Sequence, residues 1–339
     1  MNNCLQKNKK EIFISLGINF FITSIMGVLL WVTYKNGLSE NLGDFALVQM
    51  LYPAFSTIIT IKYIQKEEIS KSINTFYIIF MVTTLIFIIG LFISIFIFKS
   101  LYIFSVVLKI GIYISSITSV IIIFCNDCFK DINLKFDNNF KKIFKTLLIF
   151  IFLLVAKVII LYIIDSENYI DIETIIITLG ILPISVFIGS IMSFVCFFGE
   201  EFAWRYYLQP RFQNIFGKKI GVLILGAIWG IWHFPLCIKV YSPETPIYCI
   251  IFHIAYCMFL GIFLGFAYMK TKNLWTPILI HITNNSLVSI FNGGEMDGGA
   301  FTIVSLIINI IISLIMFGPF IFSKEYKENN HTEIGTTNL

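Results

Sequence analysis

Charge is scarce in this chain. Of 339 residues, 24 are Lys or Arg and 20 are Asp or Glu, 13% in all, about half the share of an ordinary soluble domain. A soluble globule is excluded, because too few polar groups remain to cover its surface. The alternation of apolar and polar residues that a membrane β-barrel needs is also missing: the segment from Phe76 to Phe98 is apolar on every face. The seven cysteines are odd in number and lie mostly inside apolar runs, which excludes a disulfide framework and reads them as small buried hydrophobes. The net charge of +4 is spread along the chain and gives no reason to expect a nucleic-acid partner.

Hydrophobic residues make up 58% of the chain, in runs close to the ~20 residues that cross a hydrocarbon layer of ~30 Å. Ten such runs cover about 12–34, 45–61, 73–98, 101–125, 146–164, 174–198, 220–238, 246–269, 274–292 and 300–322. The first is too long for a signal-peptide core and is read as a retained span. The expected fold is therefore all-α, a polytopic transmembrane helical bundle of about ten spans in a cell membrane.

Lys and Arg near span ends mark the cytoplasmic side. They cluster at the N-terminus (Lys7, Lys9, Lys10) and in every second connection: Lys62 to Lys71, Lys130 to Lys145, Arg205 to Lys219, Lys270 and Lys272, and the tail. The other connections carry Glu40 and Asp44, then Asp165, Glu167, Asp171 and Glu173, then Glu244, then Glu295 and Asp297. This alternation gives an N-in, C-in topology. The polar tail after Ser323 is expected to be disordered, with His331 solvated. The glycine pairs Gly217/Gly221, Gly226/Gly230 and Gly261/Gly265 have the spacing that lets helices approach closely in lipid.

Ionisable groups inside spans are costly and are the first place to look for function. Lys109 and Lys157 sit about two turns from outer span ends and are expected to snorkel to the interface. His253, with Cys257 one turn on, is expected to be a hydrogen-bonded packing residue. Cys125 and Cys128 have half the spacing of a zinc site, but no second pair or histidine completes it.

The segment Gly199-Glu200-Glu201-Phe202-Ala203-Trp204-Arg205 differs from an ordinary helix end, because two adjacent carboxylates follow 26 uncharged residues. Glu201 and Arg205 are four apart on a helix and can neutralise each other. Glu200 is turned about 100° away and left without that partner, which suits a general base. The next run supplies Trp229-Gly-Ile-Trp-His233; in a hairpin turning at Phe216 and Gly217, Glu200 and His233 each lie 16 residues from the turn and are level. The ninth run supplies His281-Ile-Thr-Asn-Asn285, with His281 and Asn285 on one face. Three spans can thus aim Glu, His, His and Asn at one point. A straight hairpin would bury Glu200 about 24 Å deep at ~1.5 Å per residue, well below His281, so a bend is expected between residues 203 and 216, near Pro210. The same reasoning predicts a cavity open to the cytoplasmic side.

At these residues the chain resembles the CPBP family of CAAX prenyl proteases and bacteriocin-processing proteins, also called Abi. Its motifs EExxxR, FxxxH and HxxxN read here Glu200-Glu201-Phe-Ala-Trp-Arg205, Trp229-Gly-Ile-Trp-His233 and His281-Ile-Thr-Asn-Asn285. Trp229 replaces the usual Phe, and Tyr206 stands where Gly often follows the Arg. Asn273-Leu-Trp-Thr-Pro-Ile-Leu-Ile-His281 also looks like the family's lead-in to its third motif. The resemblance covers 174–292, dividing the chain into N-terminal spans (1–173), a catalytic core (174–292) and a last span with a polar tail (293–339). It implies an intramembrane metalloendopeptidase in which Glu200 and His233 activate water for attack on a peptide or prenylated-peptide substrate. His281 and Asn285 would either stabilise the oxyanion or join Glu200 and His233 at a Zn2+, and Glu201 and Arg205 would orient them. The resemblance favours the zinc form, and a metal-free glutamate mechanism is also compatible with these residues. Two other readings stay open: a non-enzymatic bacteriocin-immunity protein, and a transporter using Lys109, Lys157, Glu200 and His253. No HExxH, GxGD or GxSx serine with a suitable partner points to another protease class.

Overall fold

The computed structural model describes residues 2–38, 40–136, 139–164, 172–291 and 299–328. Asp165, Glu167, Asp171, Glu295, Asp297 and His331 lie outside the described residues. Among those described the chain is helical throughout, without a strand. In order come α1 (Asn2–Lys35), α2 (Gly43–Gln49), α3 (Tyr52–Ile59), α4 (Lys71–Ile93), α5 (Tyr102–Cys125), α6 (Phe140–Ile164) and α7 (Ile172–Met192). Then follow α8 (Phe194–Glu201), α9 (Gln209–Phe216), α10 (Lys218–Trp232), α11 (Phe234–Leu236), α12 (Pro246–Thr271), α13 (Trp275–Phe291) and α14 (Ile303–Phe317). Helices α2 and α3 run on through a π-helical turn to Gln65 as one membrane-length segment.

Nine helical segments among the described residues are long and apolar enough to cross a membrane. The chain is a multi-pass membrane protein. The expected run missing from these nine is 274–292, which forms α13, a helix of 17 residues, a little short of the usual span length. The expected run 174–198 is two helices rather than one. Backbone continuity breaks at Ser193 (φ −118°, ψ 12°), and the amide of Val195 is satisfied instead by the Ser116 hydroxyl of α5 at 3.2 Å. An amide freed inside a bilayer needs such a partner.

Contacts between connections respect the two sets that charge counting separates. On one side Arg211 pairs with Glu11 at 2.8 Å, Lys218 N donates to Glu328 at 3.1 Å, and Leu274 N donates to the Asn133 carbonyl at 2.7 Å. On the other, Ser242 donates to the Gly299 carbonyl and Phe301 N to Thr245, both at 2.8 Å. Asp127, on the first of these sides, accepts a hydrogen bond from Lys135, which holds its carboxyl below the usual range.

Two expectations are corrected. The tail is not structureless as far as Glu328: Tyr326 is fully buried and donates to the Ile262 carbonyl of α12 at 2.8 Å, while Glu328 meets the N-terminus of α10, where a helix dipole favours an anion. One aromatic and one well-placed carboxylate outweigh the polar composition around them. Lys157 does not reach free for the interface, because its ammonium lies 5.2 Å from the centre of the Tyr256 ring. Lys109 is exposed on the bundle perimeter, as snorkelling requires.

The glycine spacing is used between α10 and α12. A Cβ at Gly226 would stand 2.6 Å from the Met258 Cα, and one at Gly230 would run into the Ile254 Cα. These two helices are in backbone contact, as small-residue pairs permit.

Candidate active site

Helix α8 is buried along its whole length and packs against α3, α5 and α13. Gly199 makes this possible, since a Cβ there would collide with the Met50 carbonyl. The helix carries Glu200 and Glu201 at its end, 2% and 0% exposed. Directly after them the backbone widens into a π-helical stretch, Phe202–Leu208, before α9 begins with Pro210 in its first turn. The expected departure from a straight helix is present, and it starts at residue 202 rather than at the proline. Such π segments are frequent at functional sites because they re-aim side chains.

Glu200 accepts a hydrogen bond from the indole N–H of Trp229 at 2.7 Å. The aromatic residue of the second motif is therefore in direct contact with the first carboxylate. Sequence reasoning placed His233 level with Glu200 and missed this role for Trp229; the available signal was its spacing of four from His233. His233 caps α10 and its Nδ1–H donates to the Trp229 carbonyl at 2.9 Å, so its Nε2 carries the free lone pair. The ring is half-buried, packed edge-on to Trp232 with centroids 4.9 Å apart.

N-terminal spans hold this helix end. The Trp232 carbonyl, left over as α10 terminates, accepts from Gln49 Nε2 at 2.9 Å, and the Trp232 indole donates to Thr23 at 3.0 Å. Both bonds fix the residue next to His233.

Glu201 joins two motifs. One oxygen accepts from Arg205 Nε at 3.0 Å, as the spacing of four implies, and the other accepts from His281 Nδ1 at 2.7 Å. His281 thereby presents Nε2, and its ring lies 5.6 Å from Trp229 and 5.1 Å from Phe197, edge-on to both. Arg205 is fully buried, with its guanidinium 4.8 Å above the Trp229 ring. The start of α13 is locked by Asn273, whose Oδ1 caps Trp275 N at 2.9 Å, and by the Trp275 indole on the Leu134 carbonyl at 2.9 Å. The lead-in to the third motif is thus a positioning device for His281. Asn285, one turn on, is half-buried and accepts from the Asn284 amide at 3.1 Å; the buried Asn284 in turn accepts from the Tyr256 hydroxyl.

Five of the six expected residues, Glu200, Glu201, Arg205, His233 and His281, are therefore linked through Trp229. The donor chemistry of Glu200, His233 and His281 suits zinc, and the Glu201 bond to His281 is the carboxylate–histidine pairing found behind zinc ligands. Their spacing differs: among the described residues, the trio whose ligand atoms gather within 4.8 Å of one another is Cys237, Cys249 and His253. An apolar groove of about 460 Å³ lies between α1 and the 231–239 segment, lined by Trp31, Trp232 and Pro235 among others. Neither Glu200, His233 nor His281 lines it. Cys125 and Cys128 are free thiols, and the half-site they form gains no further ligand among the described residues.

The fold and this buried polar cluster define a multi-pass membrane protein with a Glu/His centre on three non-contiguous helices. Residues 182–287, which contain all three motifs, match the family described as Rce1-like, the type II CAAX prenyl endopeptidases. The resemblance drawn from the motifs is thus shown for the α7–α13 core. No curated protein and no solved structure matches the chain.

Proposed function

We propose that this protein is an intramembrane endopeptidase that hydrolyses a peptide bond of a membrane-associated substrate, prenylated or bacteriocin-like, at a cell membrane. The observation that carries the reading is the Glu200–Trp229 hydrogen bond together with the Arg205–Glu201–His281 chain, which draws the three motif segments to one buried centre. Glu200 takes a proton from water, assisted by the free Nε2 of His233, as the oxygen adds to the scissile carbonyl carbon. The carbonyl becomes an oxyanion, for which His281, held by Glu201 at Nδ1, is a donor through Nε2–H when its ring is protonated, with Asn285 one turn beyond. The tetrahedral intermediate collapses with cleavage of the C–N bond, and Glu200 returns its proton to the departing amine. Because the three candidate ligands stand apart, no step is routed through zinc; metal content with and without chelator, set against cleavage rate, tests whether they close on Zn2+.

The deciding experiment uses the purified protein in lipid nanodiscs with a membrane-tethered peptide. Cleavage is expected, and Glu200→Gln or His233→Ala should each lower kcat by about 10²–10⁴-fold, the worth of a general base, with the thermal transition retained. Full cleavage by both variants overturns the mechanism. Comparing peptide termini in membranes carrying wild type or Glu200→Gln identifies the substrate.

A further inference from the structure

Outside that centre the structure gathers a second set of chemically active side chains. Cys237 opens a π-helical turn, Cys237–Tyr241, that follows α11. Cys249 and His253 sit one turn apart on α12, the helix pressed against α10 through Gly226 and Gly230. Both cysteines are fully buried, and the three ligand atoms lie within 4.8 Å of one another.

We propose that Cys237, Cys249 and His253 form a thiolate–imidazole site that binds Zn2+. Geometry is the first argument. Zinc holds sulfur at about 2.3 Å and imidazole nitrogen at about 2.0 Å, so two such ligands in tetrahedral arrangement stand about 3.6 Å apart; Cys249 Sγ and His253 Nδ1 are 3.5 Å apart. Charge is the second. Two thiolates and a neutral imidazole cancel the charge of Zn2+, so the loaded site is neutral, which a low-dielectric interior requires. Ligand type is the third: thiolates and imidazole select zinc over magnesium or calcium, which need oxygen. The surroundings agree. Tyr241 stacks on the His253 ring at 5.1 Å with 10° between planes and fixes its orientation, and the Lys239 ammonium is turned away onto Tyr34 at 4.3 Å.

Binding releases two protons, one from each thiol, as two S–H bonds give way to two S–Zn bonds. His253 Nδ1–H donates to the Cys249 carbonyl at 3.1 Å; ligation through Nδ1 replaces that hydrogen bond, and the ring proton moves to Nε2. The His253 ring lies 5.4 Å from that of His233, so the ion would stiffen the wall beside the proposed catalytic histidine.

The test is Co2+ titration of the full-length protein in detergent, followed by the absorption of thiolate-to-cobalt charge transfer. One equivalent should produce the band, Zn2+ should abolish it, and Cys237→Ser or Cys249→Ser should remove it. The Glu200→Gln/His281→Ala double variant should keep it, which separates this site from the catalytic reading. In unmodified protein, Zn2+ should slow alkylation of Cys237 and Cys249 but not of exposed Cys125, a readout independent of how the variants fold. No band with wild type, a band that survives in both serine variants, alkylation indifferent to Zn2+, or a Cys237–Cys249 disulfide in the purified protein overturns the proposal.

Discussion

The indole of Trp229 and the carboxylate of Glu200, 29 residues apart in the chain, are joined by a hydrogen bond of 2.7 Å between α10 and α8. A hydrogen bond to a charged group is worth about 1.5–3 kcal/mol. Trp229→Phe keeps the aromatic body and restores the family's usual residue, but removes the donor. Peptide cleavage kinetics should show kcat lowered by roughly tenfold or more with little change in KM, whereas Trp229→Ala should also lose the packing under Arg205 and unfold at lower temperature. An unchanged kcat in Trp229→Phe would show that the bond is not used in the reaction.

Arg205 and Glu201 are both fully buried, so each is tolerable only while the other is present. Glu201→Gln strands a buried cation and should cost about 3–5 kcal/mol of stability. The double variant Glu201→Gln/Arg205→Met should recover most of it, as read by thermal unfolding in a fixed detergent. If the single and double variants unfold alike, the pair contributes nothing beyond packing.

Gly230 marks where α10 touches α12. Gly230→Ala forces the two backbones apart beside His253 and should cost about 1–3 kcal/mol, the range for overpacking. Because His233 is three residues on, cleavage should fall more steeply than stability. Gly17, which has open space around it, is the control: Gly17→Ala should leave both unchanged.

Tyr326 fills the space above Gly265 and donates to α12. Tyr326→Ala should cost about 3–5 kcal/mol, comparable to other buried aromatic truncations, and should raise amide exchange at the start of α10, whose first N–H is capped by Glu328. Exchange there identical to wild type would mean that the tail is a passenger.

Much of this architecture is legible in the residues alone. Runs of apolar residues locate the membrane segments because the bilayer sets their length, and Lys and Arg sort the connections because they resist translocation. The Glu201–Arg205 pair follows from helical spacing, and the convergence of Glu200, His233 and His281 from their rarity inside spans. What escaped is non-periodic. The break at Ser193 leaves no hydropathy signature, since apolar residues continue on both sides of it, and the bend expected near Pro210 starts at Phe202 as a π turn that no local pattern marks. The Glu201–His281 bond and the grip of Gln49 and Thr23 on Trp232 are long-range contacts, fixed by packing that a single sequence does not encode in any local pattern. Tyr326 was hidden by its polar neighbours, and the Cys237–Cys249–His253 cluster by the very burial that makes lone cysteines look inert.

The interruption at Ser193 bears on how the protein is made. Helix α7, with 21 largely apolar residues, can partition into lipid by itself. The eight residues of α8 end in two carboxylates and run into Arg205, and no lipid-facing position suits such a segment. It finds its place only against α3, α5 and α13, and α13 is synthesised some 75 residues later. The Glu200–Glu201 pair is therefore seated only after α13 has been made, so the contacts that hold the two carboxylates form late in the synthesis of the chain.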